Sequence, residues 1–234
     1  MTFRKLVLFD IDGTLLHTRG AGRRAITQAL LGDVADPGGF HRVRFDGKTD
    51  PQIMVELLEA GGVPGPHPPE RITAACRRYL EHLERELSGG MARTTVLPGV
   101  PDLLDQLEAE AGVLLGLVTG NLAVGAALKL RSGGIDPDRF RVGAFGSDSA
   151  HRPDLPPIAA ERAVPHVGRR PSGPEIVIIG DTPADMTCGA ALGARAIGVT
   201  TGSYAADELH AAGAFAVFGD LSATAEVVEA ILAP

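Results

Sequence analysis

Apolar residues along most of this chain fall in short unbroken runs, separated by stretches with helical period. The first run is Lys5–Phe9 (KLVLF), which ends on an aspartate. Continuous apolarity over so few residues predicts a strand buried on both faces, as in a parallel sheet. Comparable runs recur at Val113–Val118, Val142–Phe145, Glu175–Ile179, Ala194–Val199 and Phe215–Phe218. Between them, apolar residues spaced by three and four predict helices over Gly99–Ala111, Leu122–Arg131, Leu155–Val164, Ala184–Leu192, Ala206–Ala212 and Ala223–Leu232. Strands alternating with helices predict an α/β fold with a doubly wound, Rossmann-like parallel sheet.

Residues 17–95 break the alternation. Arg19–Leu31, Pro51–Ala60 and Pro69–Leu87 all carry helical patterns with no strand between them. The linker Gly61–Pro69 (GGVPGPHPP) cannot continue a helix. The division is therefore an α/β core of residues 1–16 and 96–234, interrupted after its first strand by an all-helical insert of residues 17–95. Composition narrows the class. There are 22 basic against 29 acidic residues, a net charge of −7, and aromatics are only 4%. This excludes a general nucleic-acid binder, which needs a basic surplus and stacking platforms. No apolar run approaches the length of a membrane span or of a signal-peptide core, so no membrane association is expected and the chain reads as soluble and cytoplasmic. Cys76 and Cys188, the only cysteines, read as small core residues rather than a disulfide or zinc site.

Candidate chemistry sits at the carboxyl ends of predicted strands, the edge where open α/β sheets bind ligands. Asp10 closes the first strand, and Asp12 lies two residues on, so both carboxylates face one way in extended backbone. Such a pair suits a nucleophile beside an acid/base, or a divalent metal; Gly13 lets the backbone approach a ligand. Asp-Gly turns are also common without any function. Thr119-Gly120-Asn121 follows the second core strand, where Thr119 can bond a phosphate oxygen and Asn121 can cap the next helix. Gly180-Asp181-Thr182-Pro183-Ala184-Asp185 follows the strand EIVII and places Asp185 in the first turn of a helix, where acids also serve the helix dipole.

Taken together, DIDGT (10–14), TGN (119–121), GDTPAD (180–185) and Leu97-Pro98-Gly99-Val100 resemble the haloacid dehalogenase-like hydrolase superfamily, and the insert resembles the helical cap of its phosphoglycolate-phosphatase-like members. The resemblance implies a Mg²⁺-dependent phosphatase that hydrolyses a small phosphate monoester through an aspartyl phosphate. In that scheme Asp10 is the nucleophile and Asp12 the acid/base. Gly13, Thr119, Gly120, Asn121 and Arg152 bind the phosphoryl group. Asp10, Asp12 through its backbone carbonyl, Asp181 and Asp185 hold Mg²⁺. The partner is a small phosphorylated metabolite, and the chain acts as a monomer or homodimer.

The family places a lysine upstream of the last motif. This chain has only Lys5, Lys48 and Lys129. Lys5 precedes the first strand, Lys48 is in the insert, and Lys129 is about two and a half turns into its helix. None of these positions suits the role, and Arg152 is the candidate in its place. Lys48, in the polar turn FDGKTD with Asp50 capping the next helix, is a candidate substrate contact from the cap. Arg19, Arg23 and Arg24 read as solvent-facing, and His17 as a structural residue at a hinge near residues 15–19 and 93–97. A phosphomutase of the same superfamily, or a non-hydrolytic phosphate-responsive regulator, are the alternatives; Thr14 leans toward the phosphatase. Asp12 argues against a dehalogenase, since related dehalogenases lack the second aspartate.

Overall fold

The computed structural model describes residues 3–89 and 94–234. Residue 93 of the expected hinge, residues 90–93 of the insert and residues 1–2 of the core lie outside the described residues. The main sheet is six-stranded and wholly parallel. Its strands are β1 (Lys5–Phe9), β4 (Val113–Thr119), β5 (Val142–Phe145), β6 (Ile176–Gly180), β7 (Arg195–Val199) and β8 (Ala216–Phe218), in the order β5-β4-β1-β6-β7-β8. A second, two-stranded antiparallel pair, β2 (Leu16–His17) with β3 (Thr95–Val96), joins the two places where the chain passes between core and insert.

Strand β1 has β4 on one side, with Phe9 opposite Leu117, and β6 on the other, with Phe9 opposite Ile179. All five of its residues are buried. The sheet has helices on both faces. Val7, Phe9, Leu117 and Ile179 pack with Leu103 and Leu107 of α4 (Val100–Ala109), Leu130 of α5 (Ala123–Ser132) and Val227 of α10 (Thr224–Leu232). Leu6, Leu8 and Ile178 pack oppositely with Leu155 and Ala159 of α6 (Leu155–Arg162) and Cys188 of α8 (Pro183–Cys188). Alternating strand residues thus fill two cores, which is why the strand sequences are apolar without a break. Two short helices, α7 (Val164–Val167) and α9 (Ala206–Ala211), complete this part.

The insert contains α1 (Ala21–Leu30), α2 (Asp50–Ala60) and α3 (Pro69–Ser88). Its hydrophobic cluster is centred on Ile26, Leu30, Met54, Leu57, Tyr79 and Leu83, and Leu122 and Leu128 of the core join it. The insert also meets the core through the segment that enters α2. The Asp50 N–H donates to the Gly120 carbonyl at 2.7 Å, and the Thr49 hydroxyl donates to the Ala150 carbonyl at 2.8 Å. A Cβ on Gly120 would lie 2.1 Å from the Lys48 carbonyl oxygen, so only glycine admits this approach. Among the described residues, no helix is long and apolar enough to cross a membrane.

Candidate active site

Because β1 lies between β4 and β6 at the centre of the sheet, the segments that follow these three strands converge at one edge. Asp10 leaves β1 with its N–H donating to the Ile179 carbonyl. One oxygen from each of Asp10, Asp181 and Asp185 lies within 4.8 Å of the others, and all three side chains are buried. Gly13 makes the approach possible. Its φ is +84°, and a Cβ there would stand 2.4 Å from an Asp181 oxygen. Thr14 donates to Asp181 Oδ1 at 3.2 Å. Asp185 Oδ2 accepts from the Thr182 N–H at 3.0 Å and from its hydroxyl at 2.7 Å, while Thr182 caps α8 in return.

Burial pushes the Asp10 carboxyl above the usual carboxylate range; Arg152 opposes this, and the Asp185 charge adds to it. Burial, then the charges of Asp185 and Asp10, push Asp181 up further. Three buried carboxylates this close cannot all ionise without a cation beside them. Arg152 supplies one positive charge. It is 5% exposed, bonds Asp185 Oδ1 through Nη2, and holds the same nitrogen 3.5 Å from Asp10 Oδ2. Its Nε is buried and has no hydrogen-bond partner among the described residues.

Asn121 differs from expectation. It does not cap α5, whose N-cap is Leu122 without a side-chain bond. The Leu122 N–H instead donates to Asp50 Oδ2 at 2.9 Å, so an aspartate from α2 occupies the place of a capping side chain. Asp50 in turn does not cap its own helix; Thr49 does. Asn121 is freed to donate to Asp12 Oδ2 and to Thr119 Oγ1, both at 2.8 Å. Thr119 is fully buried, and its hydroxyl lies beside Asp10.

Lys129, whose position late in α5 does not suit the role by sequence, reaches the site. Helical side chains point back toward the N-terminus. Its Nζ sits 2.5 Å from Asn121 Oδ1 and 2.5 Å from Asp12 Oδ2. Lys48 lines the cavity, but its ammonium is paired with Glu56. Arg19 and Arg23, read as solvent-facing, line the same cavity. The Arg23 guanidinium lies 3.8 Å over the Phe45 ring and donates to the Val43 carbonyl at 3.2 Å. Helical period gave no signal for Arg23, because Phe45 lies in a loop of the insert. His17 also lines the cavity, with Nε2 3.1 Å from the Thr201 carbonyl. The cavity, of about 590 Å³, runs from Asp10, Asp12 and Asp181 on the core to Arg19 and Arg23 on the insert.

A doubly wound sheet with a helical insert, and a carboxylate trio with an arginine at its central strand ends, defines a class of α/β proteins with an acid-rich centre. The comparisons make this specific. The family model for haloacid dehalogenase-like hydrolases matches residues 7–199, and the chain belongs to that family. A probable phosphatase, IndB, of Dickeya dadantii is 31% identical over 211 residues, covering 89% of this chain and 86% of that one. A phosphoglycolate phosphatase of Rhodospirillum rubrum is 30% identical over 222 residues, covering 93% and 88%. Among solved structures, CbbY from Rhodobacter sphaeroides in complex with phosphate superposes with a TM-score of 0.71 at 21% identity, over 94% of this chain and 96% of that one. The family and these relatives indicate a phosphatase.

Proposed function

We propose that this phosphatase is Mg²⁺-dependent and hydrolyses a small phosphate monoester, phosphoglycolate-like in carrying a second anionic group, through an aspartyl phosphate on Asp10. The observation that carries the reading is the Asp10–Arg152 arrangement: a buried carboxylate with a buried guanidinium nitrogen 3.5 Å away, both lining the cavity. The donor set also fits the metal: three buried carboxylates and no sulfur or nitrogen ligand suit a hard, oxygen-binding dication. Asp10, Asp181, Asp185 and the Asp12 backbone carbonyl would hold it. When bound, Mg²⁺ supplies charge neutralisation for the transferring phosphoryl group.

The chain's own residues do the rest. Arg152, Thr119 and the backbone around Gly13 orient the phosphoryl group toward Asp10. As the Asp10 oxygen bonds phosphorus and the ester P–O bond breaks, Asp12 passes a proton to the leaving oxygen. Asp12 then takes a proton from the water that opens the acyl phosphate, releasing inorganic phosphate and free Asp10. Residues 17–95 act as a cap on a core of 1–16 and 96–234, and the β2–β3 pair carries its hinge. Closure excludes bulk water from the cavity. The purified protein is assayed with an aryl phosphate and Mg²⁺, then with a panel of phosphorylated metabolites that includes phosphoglycolate. Turnover that vanishes in Asp10→Asn supports the reading; turnover that survives that substitution overturns it.

A further inference from the structure

Lys129 has no part in the reaction as set out above, yet it is the cation most intimately joined to the acid/base. It is 4% exposed, and its Nζ donates to Asp12 Oδ2 and Asn121 Oδ1, both at 2.5 Å. Asn121 Nδ2 donates to that same Asp12 oxygen at 2.8 Å. One oxygen of Asp12 therefore takes two donors, while among the described residues no side chain anchors Oδ1 in this way.

Packing does not fix this carboxylate. The Asp12 side chain is 42% exposed and projects into the cavity, so its hydrogen bonds set its orientation. Nor does the helix require a charge at position 129, since its other inward positions are Gly125, Ala126 and Leu130. Burying an ammonium is costly unless it is paired and bonded. The surroundings provide for it: a Cβ on Gly22 would come within 3.3 Å of Nζ, so α1 closes over the lysine head, and the buried Asp50 supplies a second counter-charge at longer range.

We propose that Lys129 is a positioning residue for Asp12, clamping Oδ2 with Asn121 so that Oδ1 faces the leaving group. The role rests on the phosphatase reading above and extends it to a residue outside the expected motifs. In the first half-reaction Asp10 forms its bond to phosphorus, the ester P–O bond breaks, and Asp12 Oδ1 delivers its proton to the departing oxygen. An alkoxide needs that proton; a nitrophenolate leaves without it.

Single-turnover rates are therefore measured for Lys129→Met with an alkyl phosphate and with 4-nitrophenyl phosphate. Because the substitution leaves Asp50 without its counter-charge, the same measurements are made in Lys129→Met/Asp50→Asn. Misplacing a general acid costs about 10²–10⁴-fold where its proton is needed. The expected result is a loss of at least about tenfold for the alkyl ester, little change for the nitrophenyl ester, and an unchanged KM for both. An equal loss for the two esters, or a rise in KM alone, overturns the proposal in favour of a structural or substrate-binding role. A crystal structure of the variant reads the same point without activity: Asp12 swinging away from Asn121 supports the clamp, and Asp12 unmoved overturns it. The phosphatase reading fails separately, through Asp10→Asn.

Discussion

Arg152→Met tests whether the arginine is the fixed counter-charge of the acid trio. The substitution keeps an unbranched apolar stem and removes the charged guanidinium head. It leaves Asp185, fully buried, without its guanidinium and strips Asp10 of a cation 3.5 Å away. Removing one partner of a buried ion pair costs about 3–5 kcal/mol. Unfolding entropy is about 2.1 cal/mol/K per residue, so for 234 residues each kcal/mol lowers Tm by about 2 °C, and the expected fall is about 6–10 °C. The pH dependence follows from the carboxyls. Asp10 and Asp181 are already pushed up by burial, and losing Arg152, whose charge opposes the shift at Asp10, pushes the Asp10 carboxyl further. A carboxyl whose folded pKa is raised binds its proton more tightly folded than unfolded, so its penalty grows as pH rises through that pKa. The deficit is therefore largest near pH 8 and shrinks toward pH 5. Thermal melts of both proteins in EDTA across that range, repeated with excess Mg²⁺, measure it. Mg²⁺ recovers part of the loss, because a dication restores positive charge to the trio. A fall under about 2 °C at pH 8, where about 6–10 °C is expected, or a deficit independent of pH, would refute the counter-charge argument.

Two further outcomes are expected. At pH 6.5 the Asp181 carboxyl, held well above its usual range by burial and by Asp185 and Asp10, keeps a proton that an incoming cation must displace. Mg²⁺ affinity accordingly weakens by about tenfold per unit fall in pH for one displaced proton; calorimetry at pH 6.5 and 7.5 in buffers of different ionisation enthalpy checks this, and equal affinities would contradict it. Arg23→Leu removes a cation braced over Phe45 at the insert end of the cavity. KM should rise about 10-fold or more for phosphate esters bearing a carboxylate, in line with a lost charge-assisted bond of about 1.5–3 kcal/mol, while kinetics with 4-nitrophenyl phosphate stay level; a matched rise for both substrates would sink the assignment.

The core was legible because its strands are buried on both faces, which leaves an apolar run no other element explains. Val142–Phe145 matches to the residue, Glu175 belongs to the turn before β6, and the helix expected over Ala184–Leu192 ends at Cys188. The β2–β3 pair left no trace in the sequence, since two residues per strand carry no period. At the site, Asp10, Asp181 and Asp185 could be found because each follows a strand. Lys129 could not be found by counting helical turns, which locates a Cα and not an ammonium several bonds away. Asp50 was legible as a helix-capping residue; that it would serve α5 rather than its own helix is a tertiary fact, set by the docking of the Thr49–Asp50 backbone on Gly120.

The net charge of −7 conceals an uneven distribution along the cavity. The core end presents Asp10, Asp12 and Asp181, answered by Arg152 and Lys129; the insert end presents Arg19, Arg23 and Lys48 beside Asp46 and Asp50. A phosphate ester entering this field is repelled at the end where its chemistry must occur and attracted at the other. Arg152 is already committed to Asp185, and Lys129 to Asp12. Neither can neutralise a doubly charged phosphoryl group without releasing an acid, so the core end demands a further cation before substrate can settle there. The two ends then divide the work. On the proposed reading, the insert arginines would set which ester is held, through groups remote from phosphorus, and the core acids would set whether it turns over. Changes in substrate range should follow changes in the loop around Phe45 and in the first turn of α1, while the acid centre stays as it is.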